Sequence, residues 1–435
     1  MIVNSLFDQV KKEILTQGKE IEKFYSDKKK FQQALKKIIK VDRVIRKQIE
    51  IKLDNGKKTI FEAFRSQHNR ALGPYKGGVR FHLNVNEDEV MVLSTWMSLK
   101  CAIANLPYGG GKGGIKVNPR KLSLTELERL SKAYSRSMFD KIGPWTDILA
   151  PDVNTNSQIM GWMVAEYEKQ AFKKNLPFNA WASFTGKPLE LGGSLGREEA
   201  TGLGGVYILE SLIKVLNLKP NLKIAVQGFG NVGYNFAKKA EQKGFLIVAI
   251  FDSSGGIYQD KGLKINEVLE LKKQKGKIAD IFDKTDLENH RLGKFVKSQD
   301  FISLPVDILV PAALENVINK SNVSLIQASY IIEMANGPID LKVDSDLVRK
   351  NIMVIPDILA NCGGVSVSYF EWVQNLSNYY WSKDEVLLKL KNLMETAFLK
   401  VWQYSIDNKL SIRQGAYQLA LKKIIDAELI RGLEE

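Results

Sequence analysis

Lys223-Ile224-Ala225-Val226-Gln227-Gly228-Phe229-Gly230-Asn231-Val232-Gly233 joins a short apolar run to a glycine turn of the form GxGxxG. Helical periodicity continues from Val232 to Lys243, and a second apolar run, Phe245 to Phe251, ends in Asp252. Strand, glycine turn, helix, strand and terminal acid follow in the order of a dinucleotide-binding βαβ unit. Gly228 permits the tight turn, Gly230 lets backbone approach a pyrophosphate, and Gly233 allows helix and strand to pack closely. The helix start at Asn231 and Val232 offers unpaired N–H groups and the positive end of the helix dipole to phosphates. Asp252 lies about 20 residues beyond the glycines, where a ribose-binding acid belongs. A carboxylate accepts from a 2′-hydroxyl and repels a 2′-phosphate, which favours NAD. Ser253 and Ser254 are potential phosphate donors and Lys261 follows, so NADP stays open.

Outward from this unit the α/β alternation continues. A helix pattern (Thr201 to Leu216) precedes it, and the apolar runs Val306 to Val310, Tyr330 to Met334 and Asn351 to Ile355 follow. Such short runs between helices read as buried parallel strands. Lys383 to Glu435 is helical by period. The first part of the chain has a different texture. Its first 40 residues read as helix, with Phe31, Leu35, Ile38 and Ile39 on one stripe. A hairpin follows, from Val44 to Leu53, through Asp54-Asn55-Gly56, and back from Thr59 to Arg65. Strand-like pieces after glycine turns (Gly77 to Phe81, Gly113 to Val117) are separated by helix patterns at Glu87 to Ala104 and Thr125 to Asp140. The expected architecture is α/β, with a mixed-sheet domain over residues 1–185 joined by C-terminal helices 405–435. A Rossmann-type doubly wound domain is expected over 186–404.

The bulk composition is that of a globular protein, with 44% hydrophobic and 26% charged residues among 435. No run reaches the roughly 20 apolar residues that span a bilayer, and the N-terminus lacks a signal-peptide pattern. Cys101 and Cys362 cannot make a disulfide framework and fit a reducing, cytoplasmic setting. The net charge of +14 invites a nucleic-acid reading. Against that, lysines are interleaved with acids, as in KKEILTQGKEIEKFYSDKKK, and no nucleic-acid motif accompanies them.

A second informative region runs through Gly73-Pro74-Tyr75-Lys76-Gly77-Gly78-Val79-Arg80-Phe81, Lys100, and Leu106-Pro107-Tyr108-Gly109-Gly110-Gly111-Lys112-Gly113-Gly114. It is not a phosphate-binding Walker loop, because Gly113 stands where Ser or Thr is required. Glycines around Lys112 let backbone approach a ligand and let the amine be buried. Burial and neighbouring cations lower an amine's pKa, so Lys112 suits base chemistry, with Lys76 and Lys100 supplying cations that grip carboxylates. The alternative is a flexible glycine turn with surface lysines. Asp152, in Ala150-Pro151-Asp152-Val153-Asn154-Thr155, reads as a turn residue or an acid–base partner. His68, His82 and His290 make no metal cluster, and no metal is expected.

The blocks GPYKGGVRF, LPYGGGKGG, APDVNT, TGKPLELGGSLGREEATG, QGFGNVG, PAALENVI, ANGP and NCGGVSVSYFEW together resemble the hexameric glutamate dehydrogenases of the Glu/Leu/Phe/Val dehydrogenase family. The resemblance implies reversible NAD- or NADP-dependent conversion of L-glutamate to 2-oxoglutarate and ammonium, in a homohexamer whose first domain binds substrate and oligomerises. It implies that Lys112 activates the water attacking the imine and that Asp152 shuttles protons to the substrate nitrogen. Lys100 then holds the α-carboxylate, Lys76 and Ser368 bind the side-chain carboxylate, and Val365 shapes that pocket. Thr201, Ala312, Asn336 and Asn361 become cofactor contacts. Three positions depart from the family pattern: Gly111 where alanine is usual, Leu83 for proline, and Met334 for glycine, where a larger side chain is expected to crowd the nicotinamide side.

Two other readings stay open. A leucine-, valine- or phenylalanine-type enzyme would place apolar residues where Lys76 and Ser368 stand, and an apolar substrate would leave Lys76 unpaired. A nucleic-acid-binding protein that kept the fold without catalysis would account for the charge, but not for the retained lysines and Asp152.

Overall fold

A computed structural model describes residues 5–176, 179–219, 221–282, 287 and 290–433 of the chain. The chain forms two compact units. Unit 1 comprises Met1–Arg197, Val365–Val386 and Tyr417–Glu435; unit 2 comprises Glu198–Gly364 and Leu387–Ala416. The first division thus falls after Arg197 rather than at residue 185, and Val365–Val386, expected within the second domain, belongs to unit 1.

In unit 1 the N-terminal helix expected over 40 residues is two helices, α1 (Leu6–Ile21) and α2 (Lys28–Ile38). Asp27 explains the break: its side chain accepts from the Lys30 N–H and caps α2, a stronger local preference than continuing the helix. Phe31, Leu35 and Ile38 are buried as the stripe requires, whereas Ile39 is the C-cap and only partly buried. The hairpin forms from β1 (Arg43–Lys52) and β2 (Lys58–His68), paired from Arg43 opposite Gln67 to Lys52 opposite Lys58. Next come β3 (Tyr75–His82), α3 (Glu87–Ile103), β4 (Gly109–Lys116), α4 (Leu124–Met138), β5 (Asp147–Pro151) and α5 (Ser157–Lys173).

The five strands order as β1-β2-β4-β3-β5, with β3 parallel to β4 and β5 and the other pairs antiparallel. One face buries Val79, Phe81 and Ile115 against Leu130 and Tyr134 of α4 and Met163 and Tyr167 of α5. Side chains alternate across a strand, so Lys76, Gly78 and Arg80 of β3, with Gly110 and Lys112 of β4, face the other way. That is the side on which α3 lies.

Unit 2 begins with α6 (Ala200–Leu216), β6 (Lys223–Gln227), α7 (Asn231–Gln242) and β7 (Leu246–Asp252). There follow β8 (Gly255–Tyr258), α8 (Ile265–Lys275), β9 (Lys294–Val296), β10 (Ile308–Pro311), β11 (Tyr330–Ile332), α9 (Asp344–Arg349), β12 (Met353–Ile355) and α10 (Asp357–Ala360). The sheet order is β12-β11-β10-β6-β7-β8-β9. Strands β12 to β7 are parallel, as the apolar runs imply, and β8 and β9 add an antiparallel edge that periodicity does not announce. From β6 the chain moves to β7 on one side and later to β10 on the other. The carboxyl ends of β6 and β10 therefore flank a topological switch point, where ligands of such sheets bind. The helical tail is α11 (Gly363–Ser377), α12 (Lys383–Asp407) and α13 (Ile412–Arg431). Residues 434–435, expected as helix, lie outside the described residues.

Candidate active site

Gly109 to Gly114 form a buried strand rather than a flexible turn. Each glycine is required by what lies against it. A Cβ on Gly110 would sit 2.0 Å from the Ser94 carbonyl oxygen of α3, and one on Gly113 would sit 2.4 Å from the Tyr134 hydroxyl of α4. One on Gly77 would meet the Gly111 carbonyl oxygen at 1.6 Å. Helices thus approach β4 from both sides, and Lys112 is the one side chain beyond hydrogen that the glycine run presents. The reading of surface lysines on mobile glycines is excluded, since Lys112 is 4% exposed.

The Lys112 ammonium donates to Asp152 Oδ2. Asp152 follows directly on β5, and Gly78 makes room for it: a Cβ on Gly78 would lie 2.8 Å from Asp152 Cβ and Oδ2. The other carboxylate oxygen accepts from Arg80 Nε at 2.9 Å, and Arg80 also pairs with Glu89. Burial opposes ionisation of Asp152, but Lys112 and Arg80 overcome it and hold the carboxyl well below the usual carboxylate range. Burial pulls the Lys112 pKa down; Asp152 opposes that shift, while Arg80 and Lys100 add to it. The outcome is an ionised carboxylate and an amine of lowered pKa in direct contact, which gives a proton a path between them. Arg80 belongs to the block GPYKGGVRF, and its even spacing from Lys76 and Gly78 along a strand is the signal that puts it on this face.

Lys76 lies deeper, 1% exposed, donating to Thr185 Oγ1 at 2.8 Å and the Leu149 carbonyl oxygen at 3.4 Å. It makes no ion pair among the described residues. Burial, aided by nearby Arg197, lowers its pKa to about 7. Ser368 on α11 is 1% exposed, and its Oγ accepts from Arg197 Nε at 3.2 Å. The structure therefore brings Lys76, Ser368, Arg197 and Thr185 into one buried polar cluster, with Val365 partly buried on the same helix as Ser368. Thr185 and Arg197 both lie in the block TGKPLELGGSLGREEATG, but a single chain has no periodicity that ties either to Lys76. The segment is pinned by Lys187, whose ammonium donates at 2.7 Å to Glu371 of α11, both fully buried. Lys100, 9% exposed near the end of α3, is close enough to Lys112 to lower its pKa. Beneath the site Arg65 pairs through Nε and Nη2 with Asp147 of β5, both wholly buried.

In unit 2 the three fingerprint glycines behave differently. Gly228 has φ +100°, and a Cβ there would lie 2.9 Å from the Ala312 carbonyl oxygen after β10. On Gly233 a Cβ would overlap the Gly228 carbonyl oxygen at 1.8 Å, so this glycine sets the turn-to-helix packing. A Cβ on Gly230 would meet nothing within 4 Å. It faces open space at the exposed start of α7, next to Asn231 and Val232, which is what a pyrophosphate cradle requires. Asn361, buried after α10, donates to the carbonyls of Met334 and Ala335 and to Asn336 Oδ1, and its own Oδ1 is buried without a partner among the described residues. An acceptor fixed in that way suits a carboxamide N–H. Thr201 stands in the first turn of α6, beside the loop after Asn361: a Cβ on Gly363 would lie 2.2 Å from the Ala200 carbonyl oxygen. These residues fit a nicotinamide dinucleotide at the switch point.

Two expectations about this unit change. Met334 is 3% exposed, and its thioether packs on Gly205 of α6, so it fills the interior of the unit. Ser254 is not a spare phosphate donor. Its Oγ donates to Asp252 Oδ1 at 2.6 Å and accepts from the Ala279 N–H at 3.0 Å. The cation within ion-pair distance of Asp252 is Lys272 of α8, at 3.2 Å, rather than Lys261.

Residues 192–432 match the Glutamate/Leucine/Phenylalanine/Valine dehydrogenase family, and residues 41–169 match the Glu/Leu/Phe/Val dehydrogenase dimerisation domain. The chain is 45% identical over 391 residues to the catabolic NAD-specific glutamate dehydrogenase RocG of Bacillus subtilis, covering 90% of this chain and 89% of the relative. It is 44% identical to an NAD-specific glutamate dehydrogenase of Staphylococcus aureus, covering 90% and 91%. Among solved structures, a hetero-hexameric glutamate dehydrogenase from Thermus thermophilus superposes with a TM-score of 0.89 at 31% identity, covering 100% of this chain and 99% of that one. Glutamate dehydrogenase from Peptoniphilus asaccharolyticus gives 0.82 at 37% identity, covering 99% and 100%. With the lysine–aspartate pair on a glycine strand and the fingerprint at a switch point, these matches establish that the chain belongs to the Glu/Leu/Phe/Val dehydrogenase family.

Proposed function

We propose that the chain is a glutamate dehydrogenase, converting L-glutamate reversibly to 2-oxoglutarate and ammonium with NAD or NADP, NAD being favoured. The observation that carries the choice of substrate is Lys76. It is a buried ammonium with no carboxylate partner among the described residues, set beside Arg197 and Ser368. Such a pocket is costly unless a ligand brings an anion, and a side-chain carboxylate does so. Leucine or phenylalanine would leave the lysine unpaired, so the apolar members of the family fit this chain less well.

The bound nicotinamide supplies the hydride acceptor. The chain's own residues do the rest. Lys100 holds the α-carboxylate, and Lys76 with Ser368 and Arg197 holds the other. Asp152, kept ionised by Lys112 and Arg80, takes a proton from the substrate nitrogen. Lys112, whose proton is loosened by burial, assists water addition to the imine and passes protons to Asp152. Thr201, Gly228, Gly230, Asn231, Val232, Gly233, Asp252, Ala312, Asn336 and Asn361 bind the dinucleotide. The match to the family's dimerisation domain and the hetero-hexameric assembly of the Thermus thermophilus relative support a hexamer, here one built from a single kind of chain. The two buried free cysteines, and the absence of any described helix long and apolar enough to cross a membrane, are compatible with a cytoplasmic setting.

A steady-state comparison of glutamate and leucine with each cofactor tests the assignment. Glutamate turnover with NAD far above leucine turnover is expected. Equal or greater leucine turnover would overturn it, as would a Lys112→Ala enzyme of normal rate.

A further inference from the structure

Asp252 ends β7 in the position of the ribose acid, yet its carboxylate is already occupied. Oδ1 accepts from the Ser254 N–H at 2.8 Å and from Ser254 Oγ at 2.6 Å. Oδ2 accepts from the Ile278 N–H at 3.1 Å and pairs with the Lys272 ammonium at 3.2 Å. A carboxylate has about four lone-pair sites, so its capacity is filled. Three of the four donors are fixed. Two are backbone N–H groups, and the third, Ser254 Oγ, is locked by the Ala279 N–H that it accepts. Lys272 is the movable one, on a flexible stem with its side chain 22% exposed. Its ammonium also reaches the Phe229 carbonyl oxygen at 3.4 Å, inside the glycine fingerprint itself. It therefore stands between the pyrophosphate turn and the ribose acid, where the 2′ substituent of the adenine ribose arrives.

We propose that Lys272 determines what the chain accepts at that 2′ position. Resting on Asp252, it neutralises the charge that would expel a 2′-phosphate, and it swings from the carboxylate to pair with that phosphate, so NADP is admitted alongside NAD. With NAD, the 2′-hydroxyl takes the site on Asp252 that Lys272 vacates. The neighbouring Lys273 is exposed and makes no hydrogen bond or ion pair with this cluster among the described residues, so the effect belongs to Lys272 and not to the basic end of α8 as a whole. The inference rests on the dinucleotide reading of unit 2 and goes beyond it in naming the residue that tolerates the extra phosphate.

Binding, separate from turnover, tests it. The whole enzyme is titrated calorimetrically with NADH, NADPH, ADP and adenosine 2′,5′-bisphosphate at one salt concentration, for wild type, Lys272→Met, Lys272→Arg and Lys273→Ala. Lys272→Met is expected to weaken NADPH and the 2′,5′-bisphosphate by about tenfold or more, while NADH and ADP change by less than about twofold or tighten. Lys272→Arg, which keeps the charge, retains the wild-type ratio, and Lys273→Ala leaves it unchanged. Melting curves establish that Lys272→Met is folded; if it is not, the Lys272→Arg and Lys273→Ala ratios and wild-type binding of the 2′,5′-bisphosphate still decide. A NADPH-to-NADH ratio that Lys272→Met leaves untouched overturns the proposal. So does a wild type that binds NADH but not the 2′,5′-bisphosphate, or an equal effect from Lys273→Ala. Failure of wild type to bind NADH at all would instead remove the dinucleotide reading itself.

Discussion

Replacing Gly78 by alanine isolates the positioning of Asp152 from every charged group around it. Gly78 lies in β3 with no positive φ, so alanine brings no backbone strain. Its new Cβ would stand 2.8 Å from both Cβ and Oδ2 of Asp152, and 2.9 Å from the Pro151 carbonyl oxygen. Ordinary contact begins at 3.4 Å, so the aspartate must retreat by about 0.6 Å. The displaced atom is the oxygen that accepts from Lys112. A misplacement of about 1 Å at a reacting group costs up to ~100-fold, so a fall in kcat of roughly 10- to 100-fold follows, or about 1.4 to 2.7 kcal/mol. Lys76, Ser368 and Arg197 are untouched, so the KM for glutamate should move by less than about threefold. Initial rates over a glutamate series at saturating NAD separate the two constants, and a urea unfolding curve establishes that the fold is intact. A folded Gly78→Ala enzyme with kcat within about threefold of wild type would refute the view that Asp152 works from the position Gly78 leaves for it.

Other consequences can be read from neighbouring contacts. Lys76 has its pKa lowered to about 7 by burial and Arg197, so in the free enzyme it loses its proton as pH rises through that value. The kcat/KM for glutamate should fall above about pH 7, whereas kcat holds to higher pH because the bound carboxylate restores the lysine's proton; a pH series of both constants checks this. The same shift leaves the folded state with fewer protons than the unfolded one above pH 7, so its contribution to stability rises with pH from there towards 10.5. Asp147→Asn leaves Arg65 buried without its counter-charge and should cost about 3–5 kcal/mol in urea unfolding, far more than a surface pair. Gly230→Ala should fold normally and weaken NADH binding, since its methyl enters open space, whereas Gly233→Ala should destabilise unit 2 through overlap with the Gly228 carbonyl. Differential scanning calorimetry and NADH titration distinguish the two.

Much of the doubly wound unit was legible because its signals are local. Apolar runs of strand length, a glycine turn and helical periodicity all act within a few residues, and they place β6, α7 and β7 within a residue or two. Local signals mislead where a partner from elsewhere in the chain overrides local preference. Gly109 to Gly114 look like a turn because glycine gives a strand nothing to pack. They form one because α3, α4 and the neighbouring strands need the space a side chain would take. The antiparallel strands β8 and β9 are short, and only pairing in the sheet defines them.

Sequence by itself determined the chemistry available to this protein: the fingerprint glycines, the acid after β7, and the lysines and aspartate whose order matches one enzyme family. These are properties of residue type and spacing along the chain. Tertiary structure decided which of those groups face one another and which are already engaged. It put Asp152 on Lys112, left Lys76 buried beside Arg197 and Ser368 without an ion pair among the described residues, turned Met334 inward, and set Lys272 rather than Lys261 on Asp252. Each of these follows from burial or from contacts between residues far apart in the chain, where desolvation and close charge set the energies and no spacing rule reaches.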